Sequence, residues 1–349
     1  MAELSSTSKP NVPLAVAAVP PWALALLAAA LYPSLLALFP LAMRHVSGAG
    51  SPALQIAWSG GAIAAMAVLF GVPLLALWAL LKTPARATPR AILTRRILHV
   101  AFAVPPLYGF SRLWAGRLGV VEWHSVAWVV AALAAAWCIM RARDDKTLPA
   151  SANPGTLLRS LHGITAVCLF VGFILAHVFN HAVALWSVEV QESWMTTLRL
   201  WYRAPWVEPI LLGGFGLMAL TGIPLMLRNT RTGGNLWRTL QSAAGVYIIV
   251  FLCSHVSAVL LARGDGRDTD WVFATGQNGL LAGSPNQIPY YVLSIAAVMV
   301  HVALGARMAL LRRGSEIAHV GRAFSGLMWF AGLTTLWVTA AVLGVELAN

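Results

Sequence analysis

Residues 158–181 read LRSLHGITAVCLFVGFILAHVFNH. No charge interrupts the stretch between His162 and His177. With its flanks it reaches the length of about 20 apolar residues that a helix needs to cross a bilayer. An imidazole in hydrocarbon must find a partner, so histidines placed at both ends of such a run pose a functional question by themselves. One more, His181, sits one helical turn beyond His177 at the end of the run.

The same kind of run recurs along the chain. Of 349 residues, 59% are hydrophobic and 10% charged, which does not suit a water-soluble domain. Apolar blocks fall at 20–43, 56–82, 97–115, 122–141, 158–186, 206–227, 238–262, 287–311 and 321–346. They are too long for barrel strands and lack the alternation that lipid-facing and lumen-facing positions would impose. A backbone in lipid has to satisfy its own hydrogen bonds, so helices are expected. The expected fold is all-α and polytopic, with about nine transmembrane helices: a four-helix region over 1–150, then a five-helix bundle over 151–349.

The formal charge is +12. Its carriers gather in alternate short loops: Lys82, Arg86, Arg90, Arg95 and Arg96; then Arg141, Arg143, Lys146 and Arg159; then Arg228, Arg231 and Arg238; then Arg312, Arg313 and Arg322. That pattern marks the cytoplasmic face of a membrane protein, and no nucleic-acid partner is expected. It places the N-terminus in the cytoplasm and the C-terminus outside. Residues 1–12 are polar, and the apolar block that follows is longer than a signal-peptide core and carries no persuasive cleavage site. An uncleaved first span is expected. Cys138, Cys168 and Cys253 stand singly inside spans and read as packing residues. No CxxC or CxxCH motif points to zinc, an iron–sulfur cluster or covalent haem.

Three spans open alike on the inner side: RRILHVAFAV at 95–104, LRSLHGITAV at 158–167 and WRTLQSAAGV at 237–246. GVPLLALW at 71–78 echoes GIPLMLRN at 222–229. Spans one to four and five to eight thus read as diverged copies, with span nine added. Two loops fall on the outer side. The one at 187–205, with Trp194, Trp201, Tyr202 and the neighbouring Trp206, suits an interfacial helix. The one at 263–286 holds Asp265, Asp268 and Asp270 without the glycine and glutamate spacing of a calcium loop, so a solvated loop is expected.

Of nine histidines, His45 and His319 fall in loops and His99 and His124 near span ends. His162, His177, His181, His255 and His301 lie in or at the ends of spans five, seven and eight. His162 and His177 are 15 residues apart, and Gln241 and His255 are 14 apart. Each pair returns to within roughly 60° of one helix face after roughly 21–23 Å of rise. Both helices start inside, so His177 and His255 reach a similar depth near the outer leaflet. Two such imidazoles suit axial ligation of a single haem iron. Gly163 and Gly245 would let a macrocycle or a neighbouring helix approach. His181 could replace His177 or meet a propionate. Arg159, His162, Arg238 and Gln241 gather at the inner ends, as donors for propionates or a quinone carbonyl, or, for the two arginines, as markers of the interface. The competing account of the histidines is hydrogen bonding between helices.

These residues resemble the membrane-anchor cytochrome b subunits of succinate dehydrogenase and fumarate reductase. SLHGITAV at 160–167 is similar to the family's LHRxTGV opening, with Gly163 where the family has Arg and Ala166 where it has Gly. LQSAAGVYIIVFLCSHV at 240–256 is similar to the fourth helix of the two-haem branch, in which a His ten residues after a Gly is an axial ligand; here these are Gly245 and His255. His177 then matches the first-helix ligand of the same haem, and HVALGAR from His301 looks like the fifth-helix pattern. The resemblance covers spans five to nine. It implies a cytochrome b-like bundle in a bacterial inner membrane, a non-covalent haem b, a quinone, and separate flavoprotein and iron–sulfur subunits. The anchor of haem-containing bacterial adenylate cyclases is also similar. With the C-terminus expected outside, the chain is not expected to be that cyclase.

Three departures matter. Gly222 stands where the family's second haem takes a second-helix His, so one haem is expected, with His301 unpaired or reassigned. Met299 stands where the two-haem branch can carry a Glu, which argues against a proton relay. Four helices precede the family-like region. The leading function is a b-type cytochrome exchanging electrons with the quinone pool. A haem-based sensor or assembly scaffold is the second. A haem-free transporter or structural subunit, suggested by the interrupted GVPLL and GIPLM helices, is the third.

Overall fold

The computed structural model describes residues 19–48, 50–149 and 155–347. The polar segment 1–12, on which the uncleaved-start expectation bears, and the expected boundary at 150/151 lie outside them. Every regular element among the described residues is helical. In chain order they are α1 Pro21–Ser47, α2 Pro52–Lys82, α3 Pro89–Phe102, α4 Val104–Arg117, α5 His124–Arg141, α6 Thr156–Leu169, α7 Leu175–Val183, α8 Val188–Tyr202, α9 Val207–Asn229, α10 Leu236–Gly264, α11 Trp271–Thr275, α12 Ile288–Arg312 and α13 Ile317–Leu343. A π-turn, Phe170–Ile174, joins α6 to α7, so that Thr156–Val183 is one span.

Among the described residues eight helical stretches, α6 and α7 with the π-turn between them counting as one, are each long and apolar enough to cross a membrane. The third expected span is built differently, from α3 and α4, which meet at Ala103 with φ −92° and ψ 20°. Pro105 and Pro106 have no N–H to return to the carbonyls of Ala101 and Phe102, so the helical ladder breaks there. The broken pair still runs from one end of the bundle to the other. At its start, Arg90 N donates to the Arg143 carbonyl (3.0 Å). At its finish, Arg117 pairs with Asp265 beyond the far end of α10.

The loops that carry the positive charge meet at one end. Arg95 is only 3% exposed there. Its guanidinium donates to the carbonyls of Pro84, Arg86, Thr230 and Arg231, tying the loop before α3 to the loop after α9. A buried guanidinium is tolerable because its fixed fork of donors finds an acceptor at nearly every position. Leu148 N, bonded to the Ala87 carbonyl (2.9 Å), brings in the third loop.

At the opposite end the three aspartates of the polar loop have separate partners. Asp265 takes Arg117, Asp268 takes Arg199 (3.0 Å), and Asp270 caps α11 by accepting from Phe273 N (2.8 Å). Arg263 pairs with Glu208. The rest of that loop folds inward, beyond what the expectation of a solvated loop allowed. Trp271 and Leu280 are buried against Val338, Ala341 and Val342 of α13. Leu280 N donates to the Val342 carbonyl (2.7 Å), and Gly279 (φ 104°) and Gly344 (φ 95°) touch backbone to backbone. The helix expected within 187–205 is α8, with Trp194 and Trp201 exposed and Gln191 and Met195 buried.

Spans five to nine pack each on the next in chain order: α6 on α9, α9 on α10, α10 on α12 and α12 on α13. α13 closes back on α7, the C-terminal part of span five. The N-terminal helices lean on this group through α10, which packs against α3 and α4. Small residues allow the close approach: Ala103, Ala244 and Ala297 share a buried cluster with Tyr247.

Candidate functional site

The π-turn decides where the fifth-span histidines point. The spacings of 15 and 14 residues on spans five and seven differ by one. A π-turn bonds i to i+5 and absorbs one extra residue within an α-helix. Phe170–Ile174 is such a turn and lies between His162 and His177. The two therefore relate as if fourteen α-helical residues separated them, a rotation of roughly 40°, the same as between Gln241 and His255 on the uninterrupted α10.

His177 of α7 and His255 of α10 face each other, with ring centroids 6.1 Å apart and planes at 69°. Two imidazoles bound through nitrogen to one intervening metal, at the about 2.0–2.1 Å of a metal–imidazole bond, have centroids roughly 6.3 Å apart. Among the described residues neither ring takes part in a hydrogen bond, which removes the main support for a purely helix-bonding role. Each ring is instead stacked on a phenylalanine one turn back along its own helix. Phe173 lies on His177 (5.2 Å, 19°) and Phe251 on His255 (5.2 Å, 21°). His181 stands edge-on to His177 at 4.9 Å, and its Nδ1 is buried without a partner.

This donor set fits a haem better than a bare ion. Among the described residues, no group of three or more His, Cys, Asp or Glu could hold a metal by itself. A porphyrin brings four nitrogens and asks the protein for only two axial ligands. Two neighbouring imidazoles with apolar rings behind them would fit that demand. The orphaned His181 Nδ1 is a polar atom still needing a partner, as a propionate oxygen would provide.

A second histidine pair lies nearer the arginine-rich end of the bundle. His162 and His301 have centroids 6.5 Å apart and planes at 80°. His162 Nδ1 is 2.9 Å from Thr221 Oγ1, and that hydroxyl lies 2.7 Å from the Leu217 carbonyl. His301 Nδ1 is 3.0 Å from the Gln241 carbonyl, with the Gln241 side-chain Nε2 at 3.4 Å from its Nε2. Glycines make room for both rings. A Cβ on Gly222 would stand 3.2 Å from His162 Cε1, and one on Gly245 would stand 3.0 Å from His301 Cε1.

The expected inner group of Arg159, His162, Arg238 and Gln241 thus divides. His162 and Gln241 come together around His301, which the sequence had left unpaired or reassigned. Arg238 turns to Asn229 Oδ1 (3.5 Å) and lines a cleft with Arg95 and His99. Arg159 lies near Arg228 at the inner end. Gly163 touches nothing that a Cβ would meet. His99 and His124, which called for little explanation as span-end residues, are buried. His99 Nδ1 is 2.6 Å from the Arg95 carbonyl, and His124 Nε2 is 2.9 Å from Ser111 Oγ. Sequence reasoning missed Phe173, Phe251 and Thr221. The two phenylalanines had a signal, the pattern F-x-x-x-H spelled at 173–177 and again at 251–255.

No protein-family model matches the chain, and no curated protein or solved structure matches it.

Proposed function

We propose that the chain is a membrane b-type cytochrome that holds a haem between spans five and seven and exchanges electrons with the quinone pool. The observation that carries this is the His177–His255 pair: two imidazoles on separate spans, without a hydrogen bond among the described residues, at a separation that two ligands of one metal would have. A haem held there supplies one-electron redox chemistry, with two nitrogen ligands favouring a low-spin iron. His177 and His255 would hold the haem, each through a ring nitrogen. Phe173 and Phe251 fix the ring planes. His181 offers its unpartnered nitrogen to a propionate.

The same residues limit what the chain does alone. Among the described residues, every Asp and Glu lies in a loop, in α8 or at a span end, so the spans described carry imidazoles but no carboxylate to relay protons. Flavin and iron–sulfur chemistry belongs, on this proposal, to separate subunits. The orientation proposed has the arginine-rich end of the bundle at the cytoplasmic face of a bacterial inner membrane, with the His177–His255 pair towards the periplasm.

The test is a reduced-minus-oxidised optical spectrum of the purified chain, with a pyridine assay for haem type and content. Bands of a low-spin b haem are expected. Protein that is folded, supplied with haem and still without those bands would overturn the proposal.

A further inference from the structure

We propose that His162 and His301 form a second axial pair, which takes its own iron porphyrin near the inner end of the bundle. This rests on the cytochrome proposal above but uses different residues. It also replaces the expectation of a single haem. That expectation came from Gly222, which occupies the place where a second-helix histidine would ligate. In this structure the partner of His301 comes instead from span five, and Gly222 makes the space for it.

The hydrogen bonds fix the tautomers. A backbone carbonyl only accepts, so His301 Nδ1, 3.0 Å from the Gln241 carbonyl, carries the proton. The Thr221 hydroxyl gives its hydrogen to the Leu217 carbonyl, so its oxygen accepts from His162 Nδ1, which is therefore also protonated. Both rings are left with a lone pair on Nε2. An Nδ1–H bound to an oxygen acceptor, with the lone pair on Nε2, is the arrangement that orients a metal-ligating histidine. It suits a Lewis acid and does not suit a quinone carbonyl, which needs a donor.

Size points the same way. The 6.5 Å between ring centroids is close to the roughly 6.3 Å expected across one shared metal. Two protein ligands are too few for a bare ion and enough for a porphyrin iron. Gln241 is the residue that has to yield. Its Nε2 makes only a long contact with His301 Nε2, and its Oε1 is buried with no partner, so the amide loses little by turning away. The two pairs would then set two irons at different depths, following the roughly 21–23 Å of rise between His162 and His177 along one span.

The test counts haem per chain by the pyridine assay, alongside total iron and zinc, in full-length wild type and in His162→Ala, His301→Ala and His255→Ala. Two haems are expected in the wild type and one in each variant, with the haem retained in the His162 and His301 variants reporting that the bundle still folds. His301→Met guards against a variant that fails to fold. It keeps bulk and an axial ligand, and it should raise the potential of one of the two haems while leaving the other. One haem in the wild type, unchanged by the His162 and His301 substitutions and lost with His255→Ala, overturns this inference and leaves the outer site standing. Zinc or porphyrin-free iron at the inner pair overturns it as well. No haem in any protein removes the cytochrome proposal and this one with it.

Discussion

Phe251 lies flat on the ring of His255, centroids 5.2 Å apart and planes 21° apart, one helical turn towards the N-terminal end of α10. Phe173 repeats the arrangement on His177, across the bundle. The two phenylalanines set the rotation of the two rings that face each other, and ring rotation governs how an imidazole meets a metal. Stacking of this kind is worth about 0.5–1.5 kcal/mol beyond burial. Phe173→Leu and Phe251→Leu should therefore retain haem but change the low-spin electron paramagnetic resonance lines. Spectra identical to wild type would show that the rings are oriented by something else.

The π-turn gives a prediction about length. Deleting Gly172 should convert Phe170–Ile174 to regular helix while keeping His162 and His177 on their present faces, so haem content should hold. Inserting one alanine after Val250 in α10 turns His255 by about 100° relative to Gln241 and should abolish binding at the outer pair. Haem content of the two purified variants checks both halves. Loss in the deletion and retention in the insertion would contradict the register argument.

Arg95 is the fastener of the charged end. Its guanidinium serves four carbonyls from two loops, and Arg95→Met leaves all four without it. Hydrogen bonds from a charged donor are individually strong, so a loss of about 3 kcal/mol or more is expected. Arg95→Lys should rescue little, because an ammonium cannot reproduce the fork. Thermal unfolding in detergent measures it, and a near-neutral Met variant would mean that the loops hold without the arginine.

At the other end, the Arg117 guanidinium holds the Asp265 carboxyl below its usual 3.8, with Arg267 adding to the effect. A carboxylate with a depressed folded-state pKa contributes stability that is fully present above 3.8 and fades as the pH falls through its lower folded value. The pair is exposed, so the contribution is small. Unfolding of wild type and Asp265→Asn, followed against pH, should show a constant small gap at neutral pH that closes only under strongly acid conditions. A gap that widens on acidification would contradict the assignment.

Gly279 and Gly344 meet with their backbones in contact, each at a positive φ. Gly279→Ala adds both a strained backbone and a collision with Gly344, and should cost about 1–3 kcal/mol. Limited proteolysis between residues 265 and 287 reads the loosening directly. Unchanged protection would show that the loop is held elsewhere.

The fold was legible because hydrocarbon imposes a simple rule: each apolar run becomes a helix. It was less legible at 97–115, where Pro105 and Pro106, plain in the sequence, break the ladder of a run read there as one continuous span. The outer histidine pair could be read from spacing and direction, since His177 and His255 lie at similar depth on parallel helices. The inner pair could not. His162 and His301 lie on antiparallel spans, and their meeting depends on glycines from two other helices, Gly222 and Gly245. The one-residue difference between the spans looked like noise in the sequence. The π-turn that accounts for it has no sequence marker as plain as proline.

The most direct measurement is the change in haem content, by pyridine assay, when His255 alone is replaced by alanine in the full chain. Exactly one axial clasp being lost predicts a fall of one haem per chain, together with disappearance of one low-spin signal. An unchanged haem-to-protein ratio with the same signals would mean that His177 and His255 face each other for some other reason, and would contradict the account.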